Sequence, residues 1–141
     1  MTIDYSKIEE KIFSFGTNPK LGLDNINELL NILHLTKKKF SQPIIQVVGT
    51  NGKGSTCAFL ESLFMGLGLK VGVFTSPHLA CFRERIRINQ KYITQNEILP
   101  ISIEVFNAVD KMINKPSFFE ILLAIALQYF QNNTDIIDRK S

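Results

Sequence analysis

Apolar residues recur at Tyr5, Ile8, Ile12 and Phe15, the spacing of one face of a short amphipathic helix, and Ser6 with Glu9 has the spacing of a capping box at its start. Residues 16–22 carry two glycines and a proline and are predicted as a loop. Asp24 is then placed to cap a second helix with Ile26, Leu29, Leu30 and Leu33 on one face. The pattern changes at Ile44. Residues 44–48 are a short, nearly continuous apolar run, the signature of a strand buried on both faces of a parallel sheet. Phe59, Leu60, Leu63, Phe64 and Leu67 predict a helix with these residues as its apolar face, ending near Gly66 to Gly68, and residues 71–74 read as a second buried strand. Strand, helix and strand within about 30 residues make a βαβ unit, so residues 44–48 and 71–74 are expected to be adjacent parallel strands joined by a helix over residues 52–66.

Further along, Arg85 to Asn89 alternates Arg and Ile, and Tyr92 with Ile93 resumes after Gln90 and Lys91, which predicts a small hairpin. Thr94 and Glu97 form a capping box for a helix running to about Ile113, with Pro100 expected to kink it or to mark its true start. Ser117 and Glu120 form another box, opening an apolar helix through Phe130. A third strand is expected from Asp135 to Ile137. The expected fold class is therefore α/β, with a mostly parallel sheet and flanking helices.

Composition narrows the class of protein. With 45% hydrophobic and 21% charged residues in a chain of 141, the sequence has the make-up of one ordinary globular domain. A net charge of +3 spread along the chain does not form the basic stripe of a nucleic-acid binder, and the run Lys37 to Lys39 reads as a solvated helix end. No stretch approaches the about 18 apolar residues of a membrane span, and residues 1–10 lack a signal pattern, so a cytoplasmic protein without nucleic-acid or membrane partners is expected, and it is taken as a monomer. Cys57 and Cys81 are read as reduced thiols, neither with neighbours at metal-ligand spacing.

The strongest chemical signal is the string Gly49-Thr50-Asn51-Gly52-Lys53-Gly54-Ser55-Thr56 between a predicted strand and a predicted helix. Several backbone N–H groups can approach phosphate oxygens only where side chains are absent. The helix N-terminus adds partial positive charge, one Lys neutralises the β- and γ-phosphates, and a hydroxyl just beyond can reach Mg²⁺. The string departs from a strict Walker A, since Val47 stands where the first Gly belongs and Gly54 follows the Lys. It also departs from a Rossmann fingerprint, which lacks the Lys. Ser76 before Pro77 can be read from its spacing as the start of a turn, Phe118 and Phe119 as core residues, and Arg83, Arg85 and Arg87 as the solvated face of the hairpin. His34 reads as a helix-end residue and His78 as one that shapes its loop.

The phosphate-loop string resembles that of the Mur ligase superfamily, and Gly54-Ser55 after the Lys is similar to its folylpolyglutamate synthase and dihydrofolate synthase branch. Leu21-Gly22-Leu23-Asp24, the run from Gly68 through Thr75-Ser76-Pro77-His78-Leu79, Glu84-Arg85-Ile86 and Ser117-Phe118-Phe119-Glu120 resemble that branch in order and spacing. The resemblance covers residues 13–137. It implies a P-loop central domain, of which this chain would be the N-terminal portion, with residues 1–43 as a helical lead-in and 44–141 as the P-loop α/β part. The sheet would break off after about the third strand, and the C-terminal glutamate-binding domain would be absent.

The resemblance also implies roles. Thr50, Asn51, Gly52, Lys53, Gly54, Ser55 and Thr56 would hold ATP, with Lys53 the catalytic cation on the β- and γ-oxygens, and Ser76 would ligate Mg²⁺. Asn18, Pro19, Lys20 and Leu21, with Ser117, Phe118, Phe119 and Glu120, would hold the folate, Phe119 by ring contact. The implied reaction is ATP-dependent ligation of L-glutamate to folate or dihydropteroate. The substrate carboxylate takes the γ-phosphoryl group, and the amino group of glutamate attacks the acyl phosphate. The protein contributes positioning and charge neutralisation, and no protein nucleophile is needed. The family's acidic metal ligand after the third strand has no match in Asp138-Arg139-Lys140-Ser141, which leaves open a non-catalytic remnant with at most weak nucleotide binding. A cell-wall Mur ligase is the nearer alternative, and Gly54 and the 117–120 segment speak against it.

Overall fold

The computed structural model describes residues 4–16, 22–36, 40, 42–77 and 80–140, the last two by backbone alone. The expectations for Lys37 to Lys39, His78 and the loop Asn18 to Leu21 lie outside the described residues. The elements are α1 (Tyr5–Ser14), α2 (Asp24–Ile32), β1 (Ile44–Val47), α3 (Lys53–Gly66), β2 (Val71–Phe74), a 3-10 turn (Phe82–Arg85), β3 (Ile86–Ile88), β4 (Lys91–Tyr92), α4 (Gln95–Asp110), α5 (Phe118–Phe130) and β5 (Ile136–Lys140). They group into two compact units, one built from α1, α2, α4 and most of α5, the other from the sheet, α3 and the chain from Tyr129 onward. Among the described residues no helix is long and apolar enough to cross a membrane.

In the helical unit, Ile8 and Ile12 of α1, Ile26 and Leu29 of α2, and Ile98, Val105 and Val109 of α4 are buried together with Ile121, Leu122 and Ile125 of α5. Phe13 stacks on Phe118 with centroids 5.2 Å apart, and Phe15 on Phe106 at 6.4 Å. Two predicted caps differ from the observed ones. Asp4, not Ser6, caps α1, because its Oδ1 accepts from the Ser6 N–H and its Oδ2 from the Ser6 hydroxyl. These bonds favour the ionised form and hold the Asp4 carboxyl below its usual range. Asp24 is the first residue of α2 rather than its cap, and it complements the helix dipole from there. The helix α4 starts directly after Thr94, as the sequence predicts, and it runs through Pro100, which therefore does not mark its start.

The other unit is a five-stranded mixed sheet in the order β1-β5-β2-β3-β4, with β1, β5 and β2 parallel and the β3–β4 hairpin antiparallel. The predicted hairpin forms, with its two-residue turn at Asn89 and Gln90, both at positive φ, one residue earlier than the Gln90 and Lys91 that alternation marks. One expectation fails: β1 and β2 are not adjacent, since β5 inserts between them and bonds to both. The expected burial of β1 on both faces fails with it. As an edge strand it leaves Ile44 48% exposed, and Val48 just beyond is 70% exposed, whereas β2 is buried throughout.

Only part of the predicted apolar face of α3 meets the sheet. Phe59, Leu63 and Leu67 are 71%, 51% and 69% exposed, and the fully buried positions are Cys57 and Glu61. Phe64 and Met65 pack from α3 on Val71, Val73 and Ile136. On the opposite face, Phe130 and Thr134 press so closely on β2 that a Cβ on Gly72 would lie 2.7 Å from the Phe130 ring.

Candidate functional site

The chain leaves β1 at Val47 and turns through Val48 to Gly52 into α3. Gly49 and Gly52 adopt φ of 151° and 74°, values that L side chains rarely take, so the turn depends on glycine at both positions. Gly52 is the N-cap of α3 and makes no side-chain cap, which leaves the first turn of N–H groups for another partner. Thr56 closes the first helical turn, its N–H and its hydroxyl both donating to the Gly52 carbonyl at 2.9 Å. The N–H groups of Lys53, Gly54 and Ser55 precede that closure. Thr50, Asn51, Gly54, Ser55 and Thr56 are exposed and Lys53 is half-buried, so a cation and several backbone donors stand at one solvent-facing helix N-terminus.

Ser76 follows β2 in a bend, is half-buried, and precedes a cis peptide to Pro77. Because β1 and β2 run parallel with β5 between them, the turn over residues 48–52 and the segment 75–77 emerge at the same carboxyl end of the sheet, where open α/β sheets hold their ligands. The fold thus brings the expected phosphate residues and Ser76 to one end. A nucleotide phosphate group fits the chain here: nothing lies within 4 Å of where a Gly52 Cβ would be, and the backbone donors and Lys53 match an anion. Among the described residues there is no cluster of three or more His, Cys, Asp or Glu that could hold a metal.

The segment Ser117 to Glu120 belongs to the helical unit. The capping box is formed as predicted, with the Ser117 N–H donating to Glu120 Oε1 at 3.0 Å and the Glu120 N–H to Ser117 Oγ at 3.3 Å. Ser117 and Phe118 are buried, while Phe119 and Glu120 are half-buried. The Phe118 N–H donates to the Gly16 carbonyl at 3.1 Å, which ties this segment to the chain two residues beyond α1.

Two functional-looking groups escape sequence reasoning. The register aligns Ile45, Asp138, Val73 and Arg87 in one row across the sheet, all on the face covered by α3. Asp138 is wholly buried. Its Oδ1 accepts from the Cys57 thiol at 3.5 Å while its Oδ2 has no partner, so burial raises its pKa, with the Cys57 bond and the Arg87 charge opposing and the Glu61 charge adding. Arg87 reaches the buried Glu61 carboxylate through Nε at 3.0 and 3.1 Å. The arginines of the hairpin are therefore not a solvated face. Arg87 is ion-paired, Arg83 Nη1 donates to the Ile93 carbonyl at 3.0 Å, and burial lowers the pKa of Arg85. Only pairing of distant segments reveals these contacts, and no spacing in the sequence signals them. Cys57 and Cys81 are not joined in a disulfide.

No protein-family model matches the chain. It is 37% identical over 120 residues to the dihydrofolate synthase/folylpolyglutamate synthase of Bacillus subtilis, a match over 82% of this chain and 27% of that protein. The solved folylpolyglutamate synthetase of Lactobacillus casei superposes with a TM-score of 0.87 at 28% identity, over 98% of this chain and 36% of that one. The bifunctional synthase of Yersinia pestis, solved with AMPPNP and a Mn ion, gives a TM-score of 0.84 at 30% identity, over 99% of this chain and 33% of that one. This chain thus spans about a quarter to a third of the length of these relatives.

Proposed function

Because this chain is related along nearly its whole length to the folylpolyglutamate synthases and spans only part of them, we propose that it is the nucleotide-holding part of an ATP-dependent ligase that joins L-glutamate to folate or dihydropteroate. The observation that carries the reading is the glycine-built turn from β1 into α3, with Lys53 and an unsatisfied first turn of N–H groups at the carboxyl end of a parallel sheet. There the backbone of residues 50–55 cradles the ATP phosphates and Lys53 neutralises the β- and γ-oxygens. Ser76 offers its hydroxyl to the divalent cation that accompanies the nucleotide. That cation, when bound, supplies Lewis-acid charge to the transferring phosphoryl group. The loop positions its anion by fixed backbone donors, so little reorganisation is needed when charge builds up during transfer.

Residues 117–120, with Asn18, Pro19, Lys20 and Leu21, are assigned to the folate. The half-buried Phe119 is assigned to the pteridine, and Phe118 stacks on Phe13. A cytoplasmic monomer without nucleic-acid or membrane partners completes the proposal. The test is calorimetry with MgATP: Lys53→Ala should weaken binding by about 1–3 kcal/mol, the worth of a charge-assisted contact. Equal affinity in the two proteins, or none in either, would refute the assignment.

A further inference from the structure

We propose that Glu61, buried two turns into the helix that follows the phosphate loop, is a positioning residue that sets how that loop presents its N–H groups to a phosphate chain; this rests on the nucleotide reading above. An apolar helix is normally seated on a sheet by its apolar face. Here the apolar positions Phe59, Leu63 and Leu67 face away, and the buried positions of α3 are Cys57 and Glu61. The side of α3 nearest the hairpin is held by directional polar contacts. Glu61 is 2% exposed, takes both Arg87 Nε contacts at 3.0 and 3.1 Å, and accepts the backbone N–H of Gln90 at 3.0 Å. Gln90 Nε2 adds a bond to Ser62 Oγ at 3.3 Å. Arg87 belongs to β3, which is hydrogen-bonded to β2, the strand that delivers Ser76. One carboxylate thus ties the rotation of α3 about its own axis to β3, the hairpin strand that pairs with β2.

Lys53 is eight residues before Glu61, about 12 Å along the helix. The loop itself has no side-chain cap and turns on two glycines, so it carries little stiffness of its own. Apolar packing of Phe64 and Met65 tolerates a small roll of the helix; a buried carboxylate that accepts the Arg87 Nε–H on both oxygens and the Gln90 backbone N–H besides does not. When the pair is lost, the donors at the loop tilt together while the fold remains.

The experiment is calorimetric titration of Mg-tripolyphosphate and MgATP into the 141-residue protein and its variants, with the folded fraction checked by circular dichroism. Glu61→Gln keeps an acceptor for the Gln90 N–H but loses the charge, and it should weaken both ligands about tenfold per folded molecule. Arg87→Gln should do the same and Arg87→Lys should retain most of the affinity. Ile136→Val thins the apolar contact under the same helix and lowers the melting temperature, yet should leave both affinities unchanged. If Glu61→Gln does not fold, Arg87→Gln, whose side chain is at the margin of the pair, decides. Unchanged tripolyphosphate affinity in Glu61→Gln or Arg87→Gln overturns the positioning role while leaving the nucleotide reading intact. A fall in Ile136→Val equal to theirs overturns it too, by showing that stability alone governs binding. Absence of binding by the unsubstituted protein refutes the nucleotide reading itself.

Discussion

Gly72→Ala tests the close approach of Phe130 and Thr134 to β2. The added Cβ would stand 2.7 and 2.8 Å from Cδ1 and Cγ of Phe130 and 2.9 Å from Thr134 Cγ2. Carbon atoms pack at about 3.5–4.0 Å, so the ring would have to retreat by roughly 0.8 Å. It has little freedom to do so. Phe130 is fully buried, Thr134 Oγ1 donates to the Phe130 carbonyl at 2.9 Å, and Gln42 Nε2 donates to the carbonyls of Phe130, Gln131 and Thr134, at 3.4 Å for the first and 3.2 Å for the last. Overpacking of this kind costs about 1–3 kcal/mol. Gly72 has ordinary strand φ, so alanine also stiffens the unfolded chain, which returns about 0.4–1 kcal/mol. The net loss should be about 1–2 kcal/mol. With a urea m-value of about 2 kcal/mol/M, the unfolding midpoint should fall by roughly 0.5–1 M at constant m. Phe130→Leu, destabilising alone, should cost less in the Gly72→Ala background because the smaller side chain makes room. A midpoint unchanged or raised in Gly72→Ala would refute the close approach.

Asp138→Asn should flatten the pH dependence of stability. A buried carboxyl with a raised pKa binds its proton more tightly folded than unfolded, so its contribution is fully present below about pH 4 and is lost as pH rises towards the folded value. Wild type should therefore lose stability relative to the Asn variant over that interval in urea titrations, and parallel curves would contradict it. Ser117→Ala removes one half of the reciprocal cap of α5 and should cost about 1 kcal/mol, whereas Ser117→Thr should cost little; equal midpoints for all three proteins would count against the cap.

The sequence by itself determined what depends on neighbours in the chain. The glycine turn into α3 is legible because left-handed backbone at Gly49 and Gly52, a cation and a helix start all fall within eight residues. The cap of α5 by Ser117 and Glu120 is equally local, since i to i+3 bonds are fixed by spacing alone; the β3–β4 hairpin is legible too, although its turn at Asn89 and Gln90 comes one residue before the Gln90 and Lys91 that alternation marks. The tertiary structure decided what joins distant segments. Periodicity assigns a strand but not its neighbours, so nothing before residue 135 could show that β5 would part β1 from β2 and leave β1 at the edge. The same holds for α3. Its apolar residues predict a buried face, but register places Arg87 and Asp138 beneath the helix, and a buried carboxylate pairs best with the cation in reach, so Glu61 takes the inner position and Phe59, Leu63 and Leu67 the outer one. Burial selects for satisfied charge as well as for apolar area, and which charges can satisfy each other is a property of the folded sheet.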